Sequence, residues 1–181
     1  MILDNKNFEI SGVKLFSIKS YEDNRGSFSE VFLSKLEYPE FKIEYIQENE
    51  SISNFGVFRG MHLQKGNYSQ SKLIRVVKGK VIDVVCDLRK SSPSFKKNIF
   101  IELNPNQLLF LPKGLAHGFL SLEEGTILNY KCDNYYNQSS ESGFNLFSSK
   151  VETDFPLLLD DISMSTKDKS LPDLDNSYIY E

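Results

Sequence analysis

The segment KLIRVVKGKVIDVVCDL, residues 72 to 88, decides the fold class of this chain. It is rich in β-branched residues, and the Lys78-Gly79 pair interrupts it near the middle. β-Branched residues favour strands, and a glycine between two such runs is typical of a hairpin turn. The segment therefore predicts two β-strands joined as a hairpin.

The second half of this segment alternates between two kinds of side chain. The apolar residues that share one face are Ile82, Val84, Cys86 and Leu88. Asp83 and Asp87 fall on the opposite face. A period of two is typical of an antiparallel strand with one face on the core and the other toward water. We therefore expect a half-buried strand.

Short strand-like runs continue through the middle of the chain. They are NIFIEL (98–103), QLLFLP (107–112), GFLSL (118–122) and TILNYKC (126–132). Strands at such short spacing favour a β-barrel or β-sandwich. Only residues 33–41 suggest a helix, and the tail from about residue 138 suggests loops and short helices packed over the barrel. One all-β domain over residues 1–181 is the prediction.

Composition sets further limits. The chain has 181 residues, 40% of them hydrophobic and 25% charged, which suits one soluble domain. A net charge of −4 argues against a nucleic-acid partner. The sequence lacks an apolar run of the ~20 residues that a membrane span needs, and its start does not resemble a secretory signal. Cys86 and Cys132 lie in apolar strands, so we expect reduced core cysteines and a cytoplasmic protein.

The chain has only two histidines, and both lie near glycines in strand-like segments. His62 lies in VFRGMHLQKG (57–66), and His117 lies in LPKGLAHGFL (111–120). The Pro-x-Gly-x-x-His spacing that ends at His117 resembles cupin barrels. Metal-binding cupins carry a second histidine two residues after the first, where this chain has Gln64. The pattern therefore predicts a cupin-type fold without a metal site.

Two other polar side chains share strand parity with apolar residues. Lys72 has the parity of Ile74, and Tyr130 has that of Leu128, so both are predicted to point inward. Each also has a structural explanation, a lysine that extends to water or a core tyrosine with a satisfied hydroxyl. Together with His62 they form a base, an acid and an oxyanion-stabilising cation, which suits proton abstraction beside a carbonyl and an epimerisation.

Ordered motifs throughout the chain resemble the dTDP-4-dehydrorhamnose 3,5-epimerase family. They are DNRGSFSEVF (23–32), QENESISNFGVFRGMHLQ (47–64), QSKLIRVVKGKVIDVVCDLRKSSPSF (70–95), LPKGLAHGF (111–119), YKCDNYY (130–136) and STKDKSLPDL (165–174). The resemblance implies a cofactor-free enzyme with an all-β, cupin-type jelly-roll barrel. It also implies N-terminal strands and a dimer arm in residues 1–50, a barrel core in 51–136, and a short C-terminal helical and loop cover in 137–181.

The resemblance also implies roles for individual residues. His62 matches the base, Asp168 the carboxylate that orients it, Lys72 the lysine near the 4-keto oxygen, and Tyr130 the general acid. The implied substrate- and nucleotide-binding residues are Arg25, Phe28, Glu30, Gln47, Asn49, Ser51, Arg59, His117 and Lys167. The family forms homodimers that exchange N-terminal strands, so the first three would serve the partner's site.

One segment departs from the family pattern. Residues 143–156 read GFNLFSSKVETDFP, without the Trp-Asn-Asp-Pro stretch usual in the family. The nucleotide (dTDP or GDP), the sugar (hexose or heptose) and the choice between inversion at C3 alone and inversion at both C3 and C5 therefore stay open.

Three alternative functions also remain at the level of sequence. The first is a 4-keto sugar 3,4-ketoisomerase, whose members tend to carry a histidine where this chain has Gln64. The second is a non-catalytic sugar-nucleotide-binding cupin. The third is a metal-dependent oxygenase.

Overall fold

The computed structural model describes residues 2–32, 43–149 and 151–181. The helix predicted at 33–41 lies outside the described residues. The strands are β1 (Ile2–Asn7), β2 (Lys14–Ile18), β3 (Ser20–Asp23), β4 (Gly26–Ser29), β5 (Gln47–Ser53), β6 (Phe58–Gln64), β7 (Lys72–Lys78), β8 (Val81–Asp87), β9 (Asn98–Leu103), β10 (Gln107–Leu111), β11 (Leu115–Ser121), β12 (Thr126–Cys132) and β13 (Glu141–Gly143). The described helices are α1 (Thr166–Lys169) and the 3₁₀ turns Gly66–Tyr68, Gln138–Ser140, Leu159–Asp161 and Leu174–Asn176.

Two antiparallel sheets form the barrel. The six-stranded sheet has the order β1-β2-β10-β7-β12-β5, and the five-stranded sheet has the order β13-β6-β11-β8-β9. The hairpin β3–β4 forms a separate two-stranded sheet. The two large sheets pack face to face, as in a jelly roll. The predicted all-β jelly-roll fold is confirmed.

The two halves of residues 72–88 do not pair with each other. β7 pairs with β10 and β12 in one sheet, whereas β8 pairs with β11 and β9 in the other. The predicted hairpin is therefore wrong, although both strands exist. Gly79, at a φ of +85°, turns the chain from one sheet to the other, and a Cβ there would press against Thr126. A glycine with positive φ suits either kind of connection, so the local sequence could not distinguish them.

A core fills the space between the sheets. The largest side chains of the six-stranded sheet in this core include Ile74, Leu109 and Leu128, which are fully buried. The five-stranded sheet contributes Val85 and Phe119. The inner faces of both sheets therefore share one apolar layer.

The outer face of the five-stranded sheet is also covered. Phe58 of β6 makes an edge contact with Phe147 at 5.1 Å between ring centroids, and Phe155 lies 5.5 Å from Phe100. Phe144 is fully buried in the same cluster. Phenylalanines from the C-terminal segment thus cover the sheet in the region where the Trp-Asn-Asp-Pro stretch is missing.

Strand β8 is consequently buried on both faces, and the half-buried prediction for it is wrong. Val84 and Cys86 pack under the C-terminal cover, while Val85 faces the inner core. Asp83 and Asp87 lie on the inner face and are fully buried. The sequence pattern alone did not reveal this, because the cover comes from residues more than fifty positions later in the chain.

The predicted strands between residues 98 and 132 are all present, with bounds close to those observed. β9 and β12 have the predicted bounds, β10 ends one residue earlier, and β11 begins at Leu115 rather than at Gly118. Cys86 and Cys132 are buried and free, as expected. Across the described parts of the chain, no helix has the length and apolar character needed to cross a bilayer.

Candidate active site

A cavity of about 670 Å³ opens between the two sheets. This volume falls in the range of small-molecule sites. The predicted site residues that line it are Gln47, Asn49, Ser51, Arg59, His62, Lys72, His117, Tyr130, Lys167 and Asp168. Because they come from both sheets and from α1, the fold brings together side chains that are far apart in sequence.

His62 and Asp168 form a hydrogen-bonded pair at one wall of this pocket. His62 lies on β6, and its Nε2 is 2.7 Å from Asp168 Oδ1. Asp168 lies in the first turn of α1, where its N–H donates to the N-cap hydroxyl of Ser165. The C-terminal cover thus places the Asp168 carboxylate in hydrogen-bond contact with His62 of the barrel.

The Asp168 carboxyl is held in its ionised form. Burial opposes ionisation, but the hydrogen bonds from His62 and the Ser165 hydroxyl and the long one from the Gly60 N–H outweigh it, so its pKa lies below the ordinary value. An ionised carboxylate only accepts hydrogen bonds, so we assign the proton of neutral His62 to Nε2. His62 Nδ1 is then free to take a proton from a ligand.

Lys72 and Tyr130 face His62 from the opposite sheet. They lie on the neighbouring strands β7 and β12, and Lys72 Nζ is 5.8 Å from the centroid of the Tyr130 ring. Among the described residues, Lys72 contacts the Tyr130 ring but has no hydrogen-bonded or ion-paired acceptor. An ammonium group directed into a pocket without an acceptor is suited to an anionic or polarised oxygen of a ligand.

Burial changes the acidity of both groups. It lowers the pKa of Lys72, although nearby Cys132 and Asp83 oppose this effect. It raises the pKa of Tyr130, so the phenol keeps its proton over the whole neutral range. The pocket therefore places a cation and a protonated acid on the side opposite the histidine base.

A second histidine–carboxylate pair lies deeper in the pocket. His117 of β11 is the Cα partner of His62 across the sheet, and its Nε2 is 2.7 Å from Asp83 Oδ2. Burial lowers the pKa of His117 and raises the pKa of Asp83. Asp83 also favours the charged form of Lys72 through its electrostatic field.

Asp83 was missed at the level of sequence. It was assigned to the solvent face of β8, whereas the structure buries it beneath the pocket floor. The available signal was an acidic residue in a strand whose apolar residues lie on both faces, Val81 and Val85 on one and Val84 and Cys86 on the other.

The pocket mouth carries a second cluster that the sequence did not indicate. Glu141 Oε2 accepts hydrogen bonds from Tyr136 Oη at 2.7 Å and from Lys167 Nζ at 2.6 Å. Lys167 is therefore paired with a carboxylate. Gln64 is buried, and its Oε1 accepts a hydrogen bond from the N–H of Asn137. Gln64 thus anchors the loop that follows Tyr136.

Arg59 lies at the same mouth on the side of β5. Its Nε donates to Ser53 Oγ at 3.0 Å, and its Nη2 donates to the carbonyl of Ile52 at 3.1 Å. These bonds fix the guanidinium at the rim of the pocket, where it leaves donors for a ligand.

Three predicted site residues do not line the pocket of their own chain. Arg25 and Phe28 lie in the hairpin β3–β4, and Glu30 follows it. Phe28 is 70% exposed, and Arg25 is paired with Asp23. Their role in a neighbouring subunit's site stays a prediction.

The two histidines do not form part of a cluster suited to metal. Within the part of the chain that the structure describes, no three His, Cys, Asp or Glu side chains are grouped as metal ligands. Structural and catalytic zinc sites use three or four such ligands.

Comparisons with known proteins agree with this geometry. Residues 7–176 match the sequence model of the dTDP-4-dehydrorhamnose 3,5-epimerase family. An enzyme of this name from Methanothermobacter thermautotrophicus is 34% identical over 175 residues, covering 94% of each chain.

Two crystal structures resemble the whole fold. The dTDP-4-dehydrorhamnose 3,5-epimerase from Sulfolobus tokodaii is 35% identical, with a TM-score of 0.89 and complete coverage of both chains. The dTDP-6-deoxy-D-glucose-3,5-epimerase from Legionella pneumophila, solved with dTDP-4-keto-L-rhamnose, is 31% identical, with a TM-score of 0.87 and 98% coverage of each chain. The chain belongs to the dTDP-4-dehydrorhamnose 3,5-epimerase family of isomerases.

Proposed function

We propose that the protein inverts C3 and C5 of a dTDP-linked 4-keto-6-deoxyhexose by deprotonation to an enolate and reprotonation on the opposite face. One observation carries the proposal. His62, oriented by Asp168, faces a protonated Tyr130 and a Lys72 that has no acceptor among the described residues, all in a single pocket. The named relatives supply the identity of the sugar nucleotide.

The first step is proton removal. The C4 ketone acidifies the C–H bonds at C3 and C5, because the electron pair left behind spreads onto oxygen. His62 Nδ1 takes the proton, and the resulting imidazolium is stabilised by the Asp168 carboxylate. Because Asp168 is already ionised, no proton has to move between Asp168 and His62 before His62 can act as the base.

The enolate oxygen receives the negative charge and is stabilised by Lys72. A well-placed donor of this kind contributes about 3 kcal/mol to transition-state stabilisation in a dry site. Lys72 is suited to this because no described carboxylate competes for its ammonium group. His117, held by Asp83, lines the same floor and is placed to contact the sugar.

The second step is reprotonation by Tyr130 from the facing sheet. The phenol gives its proton to the carbon, and the phenolate then recovers a proton from solvent, as the imidazolium of His62 releases its own. Burial raises the pKa of Tyr130, so the phenolate left after this step readily takes up a proton again. The whole sequence uses side chains of the chain and requires neither a metal nor a redox cofactor.

We infer that the diphosphate lies at the mouth, near Arg59, with Gln47, Asn49 and Ser51 of β5 along the nucleotide. Arginine forms bidentate hydrogen bonds with phosphate. Lys167 would reach the same group only by sharing its charge with Glu141.

We also propose a homodimer in which the hairpin β3–β4 completes the partner's site. The hairpin presents an exposed aromatic ring, Phe28, and a cation, Arg25, and among the described strands β3 and β4 pair only with each other. These side chains suit a nucleotide base and a phosphate, respectively. In light scattering, the purified chain should give twice the monomer mass; a stable monomer with full activity would contradict this arrangement.

The free cysteines fit a reducing compartment, and we propose the cytoplasm.

Incubation with the dTDP-linked 4-keto-6-deoxyglucose in deuterated water tests the reaction. NMR should show deuterium at both C3 and C5, inverted centres, and a ketone that stays at C4. A ketone at C3 would identify a 3,4-ketoisomerase, and binding without any exchange would identify a non-catalytic binding protein. A GDP-linked sugar run in parallel should exchange more slowly; faster exchange would assign the nucleotide differently.

A further inference from the structure

Glu141 is an acidic pocket residue to which the proposed reaction assigns no role. It begins β13, where it pairs with Gln64 of β6, and it lies two residues before Gly143, the partner of His62. Its side chain is 16% exposed, and it lines the same cavity as His62 and Lys72. A mostly buried carboxylate within a ligand pocket requires hydrogen-bond donors.

The described residues supply donors to only one oxygen of this carboxylate. Tyr136 Oη and Lys167 Nζ both bind Oε2, whereas Oε1 has no donor among the residues that the structure describes. Burial opposes ionisation of Glu141, but these two hydrogen bonds outweigh it and keep its pKa below the ordinary value. Oε1 is therefore an anionic acceptor that is held in place and available to a ligand.

The depth of Glu141 indicates which part of a sugar it meets. Its partners are half-exposed at the mouth, with Tyr136 at 49% and Lys167 at 58%. Lys72 and the buried His117 mark the floor. A sugar with its C4 ketone at the floor directs C1, which carries the diphosphate, toward the mouth. The hydroxyl next to C1 is the one on C2.

We propose that Glu141 Oε1 accepts a hydrogen bond from the C2 hydroxyl of the sugar and so selects 2-hydroxy substrates over 2-deoxy substrates. The inference rests on the proposed function for the identity of the ligand. Tyr136 and Lys167 act by holding the carboxylate in a single position. A site built around a substrate hydroxyl disfavours an analogue without it, because the site's own polar group is then left unpaired.

The test compares the 4-keto-6-deoxyhexose nucleotide with its 2-deoxy analogue, which retains the ketone and both acidic C–H bonds. In the wild-type protein, kcat/KM for exchange at C5 should be about 10- to 100-fold lower for the 2-deoxy analogue. In Glu141→Gln, kcat/KM for the parent sugar should fall by a similar factor. The ratio of kcat/KM for the parent sugar to that for the 2-deoxy analogue should decrease to about 3 or less. The exposed Glu152→Gln, on the C-terminal segment, should retain the wild-type ratio.

An equal loss on both sugars in Glu141→Gln would overturn the proposal, because it would show that the carboxylate only supports the fold of the mouth. A wild-type ratio near 1 would overturn it as well. Glu141→Leu, which cannot accept a hydrogen bond, should abolish the discrimination even if the folded fraction is reduced, since the ratio does not depend on enzyme concentration.

A binding measurement separates this inference from the proposed reaction. The dTDP-linked 6-deoxyglucose and its 2-deoxy counterpart lack the ketone and cannot react. Calorimetric titration should show a preference of the wild-type protein for the 2-hydroxy ligand, reduced in Glu141→Gln. If neither keto sugar exchanges deuterium, the proposed reaction fails, whereas equal affinities for these two ligands would refute the role of Glu141.

Discussion

At the scale of single residues, the site depends on a few side chains whose burial changes what they can do. Lys72 and Tyr130 lie on adjacent strands of one sheet, and burial moves their pKa values in opposite directions. Burial disfavours a charged form, so the cation loses its proton more easily and the phenol holds its proton more firmly. We therefore expect loss of the Lys72 proton to limit the proposed reaction at alkaline pH.

A prediction follows for the alkaline side of the pH profile. Burial lowers the pKa of Lys72, so its ammonium is lost as pH rises through a value below the usual ~10.4. We expect kcat for exchange to fall in that range in the wild-type protein. In Lys72→Arg, whose guanidinium stays protonated, the alkaline decrease in kcat should move to higher pH. The control Lys78→Arg, at an exposed position, should not change the pH of this decrease.

The same prediction has a second readout. Lys72→Met should lower kcat by about 100-fold at neutral pH, because it removes the enolate's cation. An unchanged alkaline limb in Lys72→Arg, or near-normal turnover in Lys72→Met, would contradict the role of this residue.

The sequence predicted the inward side chains well where strand parity determined them. Lys72 and Tyr130 have the parity of Ile74 and Leu128, and the structure places all four toward the barrel interior. Asp83 could not be predicted in this way, since strand parity gives the side of the sheet and not what covers that side. The pairing of Glu141 with Lys167 was hidden for a similar reason, because Lys167 meets it only after the cover folds over the mouth.

At the scale of elements, the strands were predictable and their pairing was not. The bounds of β9 and β12 follow from local propensity and turn residues. Whether β7 continues into β8 within one sheet or crosses to the other depends on the partners each strand finds, which lie elsewhere in the chain. Gly79 marks this crossing.

Two glycines allow the crossing to be tested. Gly79 and Gly125 both have positive φ, at +85° and +66°, so alanine at either site costs about 1 kcal/mol in backbone strain. At Gly79 a Cβ would also press on Thr126, whereas at Gly125 it would meet only Lys78 Nζ at 4.0 Å. Gly79→Ala should therefore destabilise the fold by about 2 kcal/mol or more, against about 1 kcal/mol for Gly125→Ala.

Denaturant unfolding of both variants measures the difference. Equal free energies of unfolding for the two variants would show that the crossing at Gly79 is less tightly packed than the structure indicates.

At the scale of the whole molecule, one buried carboxylate joins distant parts of the chain. Asp87 accepts hydrogen bonds from Arg89, Ser92 and Ser94, and Arg89 also donates to the carbonyl of Ser11. The adjacent backbone pairs with the C-terminal Tyr180, whose N–H donates to the carbonyl of Leu88 at 2.8 Å. This cluster fastens the N-terminal region and the C-terminus to one end of the barrel.

This cluster predicts how stability depends on pH. Burial opposes ionisation of Asp87, but the hydrogen bonds from Arg89 and the serines outweigh it and lower its pKa to about 2. A carboxyl whose pKa is lower in the folded protein stabilises the fold at pH values above its unfolded pKa of ~3.9. This contribution is lost as the pH falls through the pKa of the folded state. Asp87→Asn should cost about 3 kcal/mol at pH 7, because it leaves the buried part of Arg89 without its counterion.

The difference in stability between wild type and Asp87→Asn should decrease as pH falls from about 4 to about 2, because the wild-type carboxyl then takes up a proton. Thermal unfolding across this range measures this difference, with the exposed Asp154→Asn as a matched control. A difference that stays constant with pH would show that the charge of Asp87 does not stabilise the fold.

His62 and Tyr130 project from facing sheets, and we propose that they act on opposite faces of the same carbon atom. NMR of Tyr130→Phe and His62→Asn with the dTDP-linked 4-keto-6-deoxyglucose in deuterated water tests this most directly, because it reports exchange and inversion separately. We expect Tyr130→Phe to retain deuterium exchange through His62 while inversion falls by about 100-fold or more, and His62→Asn to lose both. Inversion that keeps pace with exchange in Tyr130→Phe, or exchange that persists in His62→Asn, would contradict the account.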